Sequence, residues 1–538
     1  MFTQEIAPMA GSLGWSALVA ALPLLTVFVL LGVVRTKAYV AALVGLVVAL
    51  LVGIAAYGMP VSQALSSAVQ GAVFGLFPIL WIVVNALWIY RMTVRTKHFD
   101  VLRRSFGRVS DDPRIQGLII AFCFGALMEA LAGFGAPVAI CTVMLMALGF
   151  TPLRAAMVAL VANTAPVAFG AMGTPVITLA QVTGLPLDLV SSVVGRQTPI
   201  LALFVPLLLV FIIDGRRGLR ETWVPALVCG VAFAIAQFAM SNFVAPELAD
   251  IGAALAGTGA LVLTPGARRP AREEVRESVL TGTRTATVER PDPRPEVLRA
   301  YAPYAVIIVI FAIGQIPAVK QLLAKATLSF HWPLLNVANS AGKPVSGNTF
   351  SLPLLAAGGT LVLLAGVITT FILRVPLRAS ATEWIRTVHE LRFAILTVTG
   401  VLALAYVMNL SGQTTSIGYL VAGAGAALAF LSPVLGWFGV AVSGSDTSAN
   451  ALFGALQVTA ATKTGLPPEL LAAANSSGGV LGKMISPQNL AIACVAAQLP
   501  GEEGTLLRKV LPWSIGLLLV MCVLVVLQST SVLGWMLP

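Results

Sequence analysis

Apolar stretches of bilayer-spanning length recur from one end of this chain to the other, as in Leu13 to Val34, Ala38 to Tyr57, Gly71 to Tyr90, Trp223 to Val244, Leu352 to Leu373 and Val510 to Gln528. A helix needs ~20 apolar residues to cross the hydrocarbon core, and inside lipid the backbone must satisfy its own polar groups. About twelve such spans are expected, with shorter paired segments between them. Charged residues make up only 10% of the 538, against about 25% in soluble domains. The fold class expected is an all-α integral membrane protein with the lipid bilayer as its solvent. The first run is too long, and the second follows too closely, for a cleaved signal peptide.

The formal charge of +11 gives no support to nucleic-acid binding, because the basic residues sit in short loops between spans. Arg35 and Lys37, the set from Arg91 to Arg114, Arg216 to Arg220, Arg374 to Arg392, and Arg508 with Lys509 mark the cytoplasmic side by the positive-inside rule. Residues 1–12, 58–70, 245–264 and the tail after Gln528 then fall outside or within the membrane, and both termini are predicted to be external. The loop from Pro317 to Phe350 contains Lys320, Lys325 and Lys343, yet parity places it outside too. A basic, proline-containing stretch, residues 265–298, reads as a mobile cytoplasmic linker between a first half, 1–264, and a second half, 299–538.

Two polar interruptions fall in each half. Asn163-Thr164 through Gly170, Met172, Thr174 and Pro175 is echoed by Asn475-Ser476 through Gly482, Met484, Ser486 and Pro487, each residue 312 positions after its counterpart. Ahead of them stand Gly133-Phe134-Gly135-Ala136-Pro137 and Ser443 to Asn450. The layout predicts two repeats, a hairpin and a broken helix near 115–184 and again near 426–499, and loop charge makes them inverted in topology. Backbone that leaves its helix at membrane depth is tolerated only inside protein or beside a wet cavity, and matched breaks in two halves point to a transporter's binding site.

Ionisable side chains in apolar surroundings are functional candidates by default. Glu129, four residues before the first break, and Asp446, in the matching break of the second half, are the proton-coupling candidates. A carboxylate fixed by an arginine, or helix capping by Asp446, is the competing structural explanation. Asn163-Thr164 and Asn475-Ser476-Ser477 read as N-cap-like starts, whose free N–H groups suit a small anion, and the hydroxyls of Ser445, Thr447 and Ser448 add donors. Lys483 is placed to pair with substrate or with Asp446. Asn450, Gln488 and Asn489 serve equally well as glue between helices. Phe134 and Phe169 either shape the pocket or pack. The three histidines lie in loops, and the five cysteines have no spacing suited to a disulfide or metal. No metal site, cofactor or catalytic residue is expected, since no phosphate loop, HExxH or GxSxG stands in the chain.

With Glu129 to Ile140, Ala162 to Gly170, Gly195-Arg196-Gln197, Arg299 to Tyr304, Gly444 to Asn450 and Asn475 to Pro487 laid out, the sequence resembles the L-lactate permease family over most of its length. The resemblance implies proton-linked uptake of L-lactate and related 2-hydroxy-monocarboxylates such as glycolate across a bacterial cytoplasmic (inner) membrane. It also implies a wider superfamily of anion carriers with re-entrant hairpins, tips here at Gly133 to Pro137 (Gly135 at its centre) and Ser443 to Asn450, working as an elevator against a scaffold that often forms a homodimer. Arg196 carries over as a substrate ligand, although loop charge sets it near the outer end of a span, where a snorkelling role competes. A sodium-coupled carboxylate carrier and a passive anion channel are the alternative functions.

Overall fold

The computed structural model describes residues 1–107, 110–133, 135–264, 275, 279–280 and 292–538. Phe134, Arg108 and most of the expected linker lie outside the described residues. Ten helices in the described residues are long and apolar enough to cross a membrane, or eleven if the bent pair Pro152–Ala162 and Val167–Thr183 is one span. Two further apolar helices, Ala136–Ala147 and Gly358–Ile372, are shorter.

Eleven helices build or back the polar centre. In chain order they are α1 (Gly125–Ala132), α2 (Ala136–Ala147), α3 (Pro152–Ala162), α4 (Gly170–Thr183), α5 (Leu187–Phe243), α6 (Ala249–Leu263), α7 (Arg392–Ser411), α8 (Leu428–Ser443), α9 (Asp446–Thr464), α10 (Pro468–Gly482) and α11 (Pro487–Ala496). At 57 residues α5 exceeds any bilayer, and it doubles back. Asp214 and Gly215 leave helical geometry, and Ser191 donates to the Ser241 carbonyl.

Small residues decide which helix faces meet. Between lipid-immersed helices there is little hydrophobic drive, so association favours faces where backbones come close. In Ala38–Ala55 the buried positions include Ala41, Ala42, Gly45, Ala49 and Gly53, while Val44, Val47 and Leu51 are exposed. A Cβ on Gly45 would lie 2.8 Å from the Leu404 side chain of α7, and one on Gly71 would strike the Leu402 carbonyl. The same device locks α8 to α10: Cβ atoms on Gly436, Gly478 and Gly482 would strike the backbones of Asn475, Pro433 and Trp437.

Two groups of loops differ in chemistry. In one, ion pairs tie the basic loops together, Arg91 to Glu390, Arg95 to Glu383 and Arg104 to Asp292. In the other, β1 (Phe2–Thr3) runs parallel to β3 (Val337–Ala338), and β2 (Thr327–His331) pairs antiparallel with β4 (Thr349–Pro353). These two small sheets depart from an all-helical expectation. The first forms where the loop from Pro317 to Phe350 meets the N-terminus, and the second joins the start of that loop to its end. Gln4 donates to the carbonyls of Asn409 and Leu410 at 2.8 and 3.0 Å, satisfying the last turn of α7, so residues 1–12 and that loop share one end.

Candidate functional site

Each half supplies a turn and a helix junction to the centre. In the first half, α1 ends at Gly133 and α2 begins at Ala136, with Gly135 left-handed at φ +86°. Glu129 sits on the last turn of α1, buried. α3 ends at Asn163, and the chain then passes through left-handed Ala171, Met172 and Gly173 (φ +46°, +59° and +74°). Two non-glycine residues in this region carry real strain, held here because the segment is wholly buried.

In the second half, α8 ends at Ser443, Gly444 is left-handed, and Ser445 caps α9 by accepting from the Ser448 N–H. Asp446 is thus the first helical residue, not the cap. α10 runs unbroken to Gly482, a short 3₁₀ turn holds Lys483, and Ser486 caps α11 with Pro487 in its first turn.

At the centre the two halves meet through a buried ion pair. Lys483 Nζ lies 2.6 Å from Glu129 Oε1, both side chains buried, and Asn163 Nδ2 donates to Glu129 Oε2 at 3.0 Å. Gly170 makes this possible, since a Cβ there would lie 2.8 Å from Glu129 Oε1. Beside it, Asp446 Oδ2 accepts from Ser476 Oγ at 2.7 Å and Asn450 Nδ2 at 3.3 Å, while Oδ1 is buried without a partner among the described residues. Asn475 donates to Asn450 Oδ1 at 2.9 Å, and Gln457 donates to Asn475. Asn450 also donates to the Pro175 carbonyl at 3.1 Å, stitching α9 to α4.

A cavity of about 130 Å³ opens between these groups, walled by Glu129, Lys483, Asp446, the hydroxyls of Thr174, Ser443, Ser445, Thr447 and Ser448, Gln488, and apolar Val167, Ala394 and Val398. It joins one ammonium, two carboxylates, a fan of hydroxyls and the N-terminus of α9, whose dipole favours negative charge. A small hydroxylated anion fits that chemistry.

A family model for L-lactate permease matches residues 16–532. The chain belongs to the L-lactate permease family. It is 42% identical to the L-lactate permease of Bacillus subtilis (strain 168) across 100% of both chains. It is 41% identical to the glycolate permease GlcA of Escherichia coli (strain K12), and 40% identical to that organism's L-lactate permease, across 98% of each. Among solved structures, Neisseria gonorrhoeae MtrF aligns with 93% of this chain and 97% of its own at 13% identity and a TM-score of 0.49, too distant to carry a conclusion.

In this permease-family chain, Glu129, Asp446, Ser445, Thr447, Ser448 and Lys483, all singled out from sequence, surround one cavity. Others stand behind the wall or elsewhere. Asn163 supports Glu129, and Thr164 bonds back to the Val161 carbonyl. Asn475 and Ser476 support Asn450 and Asp446, and Ser477 Oγ is buried without a partner among the described residues. Gly135 leans on α11, where a Cβ would sit 3.2 Å from Asn489 Oδ1.

Three expectations need correction. Asn163 and Asn475 are not N-caps: Asn163 closes α3, and Asn475 lies mid-helix in α10. Gly478 and Gly479 do not break α10 but let it approach α8 and leave room for Asp446. Arg196 does not reach the cavity, because its guanidinium donates to Asn242 Oδ1 at 3.0 Å and the Met536 carbonyl at 2.7 Å. Thr174 and Ser443, within the breaks read from sequence but not named there as ligands, line the cavity, and sequence reasoning missed Asp250, which is 1% exposed. A lone acid followed by the apolar run Ile251 to Leu263 was the signal for Asp250.

Proposed function

We propose that the chain is a secondary active transporter that carries L-lactate and related 2-hydroxy-monocarboxylates, glycolate among them, into the cell with a proton. The observation that carries this reading is the Lys483–Glu129 pair spanning the cavity between the two halves. A substrate carboxylate is the natural competitor for that ammonium. When it takes Lys483, Glu129 loses its counter-ion, and a buried unpaired carboxylate is costly, so a proton binds with the anion. The serine and threonine hydroxyls at the N-terminus of α9 take the remaining carboxylate oxygen and the 2-hydroxyl. Asp446, held only by neutral donors, is the second proton candidate.

The names of the relatives, L-lactate permease and glycolate permease, support this substrate class. The matched turns and junctions of the two halves support inverted repeats moving as an elevator against a scaffold containing α7, in a bacterial inner membrane with both termini external. A homodimer accords with that scaffold role.

The test is labelled lactate uptake into proteoliposomes, with pH and sodium gradients imposed separately. Accumulation driven by the pH gradient without sodium supports the reading. Dependence on sodium selects a sodium-coupled carrier, and equilibration without accumulation selects a channel.

A further inference from the structure

Behind the cavity wall, on the far side of the α3–α4 junction, a third carboxyl is buried with no cation in hydrogen-bond contact among the described residues. Asp250 is the second residue of α6, and its Oδ1 accepts from Gln237 Nε2 of α5 at 3.2 Å. The same nitrogen donates to the Ala165 carbonyl at 3.2 Å, two residues from Asn163. Three acceptor oxygens around this junction, Asp250 Oδ2, Gln237 Oε1 and Asn163 Oδ1, are buried with no donor among the described residues. Nearly all buried polar atoms find a partner, so three unpartnered acceptors on residues of this junction call for a proton.

The electrostatics point the same way. Glu129 and Lys483 are the charged groups that act on Asp250, while α5 presents neutral Gln237. Lys483 is already 2.6 Å from Glu129 and also acts on Asp446. One ammonium thus serves three buried carboxyls. Charges at this depth persist only when compensated, so not all three can be ionised together.

We propose that Asp250 is a proton-binding site of the transport cycle, relaying protons to the cavity from behind. The proposal rests on the reading of the chain as proton-coupled. Glu247, partly exposed on the turn before α6, stands on the entry side. That turn is seated by the junction itself, since a Cβ on Gly173 would lie 3.1 Å from the Pro246 backbone. Any movement of α4 is therefore transmitted to the turn that precedes Asp250. A proton from outer water forms an O–H bond on Oδ2, passes to the Glu129 carboxylate of the cavity as substrate takes Lys483, and returns to water on the inner side when substrate leaves. The substrate carboxylate itself is unchanged.

The experiment compares wild type with Asp250→Asn in proteoliposomes, reading pH-driven accumulation and lactate–lactate exchange in parallel. Wild type should accumulate about tenfold per unit of pH gradient at one proton per anion. Asp250→Asn should fall to no accumulation while exchange continues. Full accumulation by Asp250→Asn overturns the proposal and leaves the transport reading intact, whereas failure of wild type to respond to pH removes that reading. If Asp250→Asn does not fold, Gln237→Leu decides. Losing a donor to the charged carboxylate makes Asp250 hold its proton more tightly, so the pH profile of uptake should move upward, and an unchanged profile contradicts the relay.

Discussion

The two halves of this molecule spell their central segments with the same letters and fold them differently. Asn163 to Pro175 breaks open, with α3 ending at Asn163 and three left-handed residues before α4 straightens. Asn475 to Pro487 stays helical as far as Gly482. Packing explains the difference. Gly478 and Gly482 of α10 are pressed against the carbonyls of α8, so the helix is held straight by its neighbour. Gly170 instead faces Glu129 and Gly173 faces the Pro246 turn, where side chain and loop need the space. Charge follows the same asymmetry: Lys483 occupies the position that is Ala171 in the first half, 312 residues earlier. One half brings the acid, the other the base, and the cavity lies where they meet.

The largest expected effect comes from erasing that asymmetry. Lys483→Met removes the ammonium and strands Glu129, a change that costs about 3–5 kcal/mol for a buried pair. Lactate binding should weaken by at least about a hundredfold, which is 1.4 kcal/mol per decade, in equilibrium binding to detergent-purified protein. The double variant Lys483→Met with Glu129→Gln should recover thermal stability without recovering binding. Near-normal affinity in either variant would place the anion elsewhere.

A smaller effect separates the two uses of glycine. Gly478→Ala presses a methyl into the Pro433 carbonyl and should cost about 1–3 kcal/mol, as overpacking does, read as a lowered melting temperature. Gly170→Ala faces only the Glu129 side chain, so it should leave the melting temperature within a few degrees while raising the apparent KM for uptake. If both alanines act alike, the contrast drawn between the halves is wrong.

Much of this was legible in the residues. Gly133 and Gly444 marked true reversals because a chain leaving a helix in lipid needs a left-handed or unhindered residue there, and Glu129, Asp446 and Lys483 stood out because charge in an apolar segment is rare. What could not be read was partnership. Lys483 was expected to meet substrate or Asp446, yet Glu129, 354 residues away, holds it, and only the crossing of the two halves brings them together. Asn475 to Gly479 looked like a break because glycine weakens helices in water, whereas between lipid-immersed helices it cements them. Asp250 went unnamed because its segment, residues 245–264, was placed only by its lack of Lys and Arg. The Arg196 guanidinium is occupied by Asn242 and the C-terminal Met536 carbonyl, a closure that sequence distance conceals.

Proton uptake on substrate binding tests the central claim most directly, because the Lys483–Glu129 pair should open for a carboxylate only as a proton arrives. Purified protein in weakly buffered detergent solution, mixed with lactate in the presence of a pH indicator, should take up protons in proportion to the anion bound, and Glu129→Gln should bind lactate with reduced uptake. By reciprocity of linkage, affinity for lactate should rise as pH falls. Lactate bound by the wild-type protein with no proton taken up, and with an affinity indifferent to pH, would contradict the account.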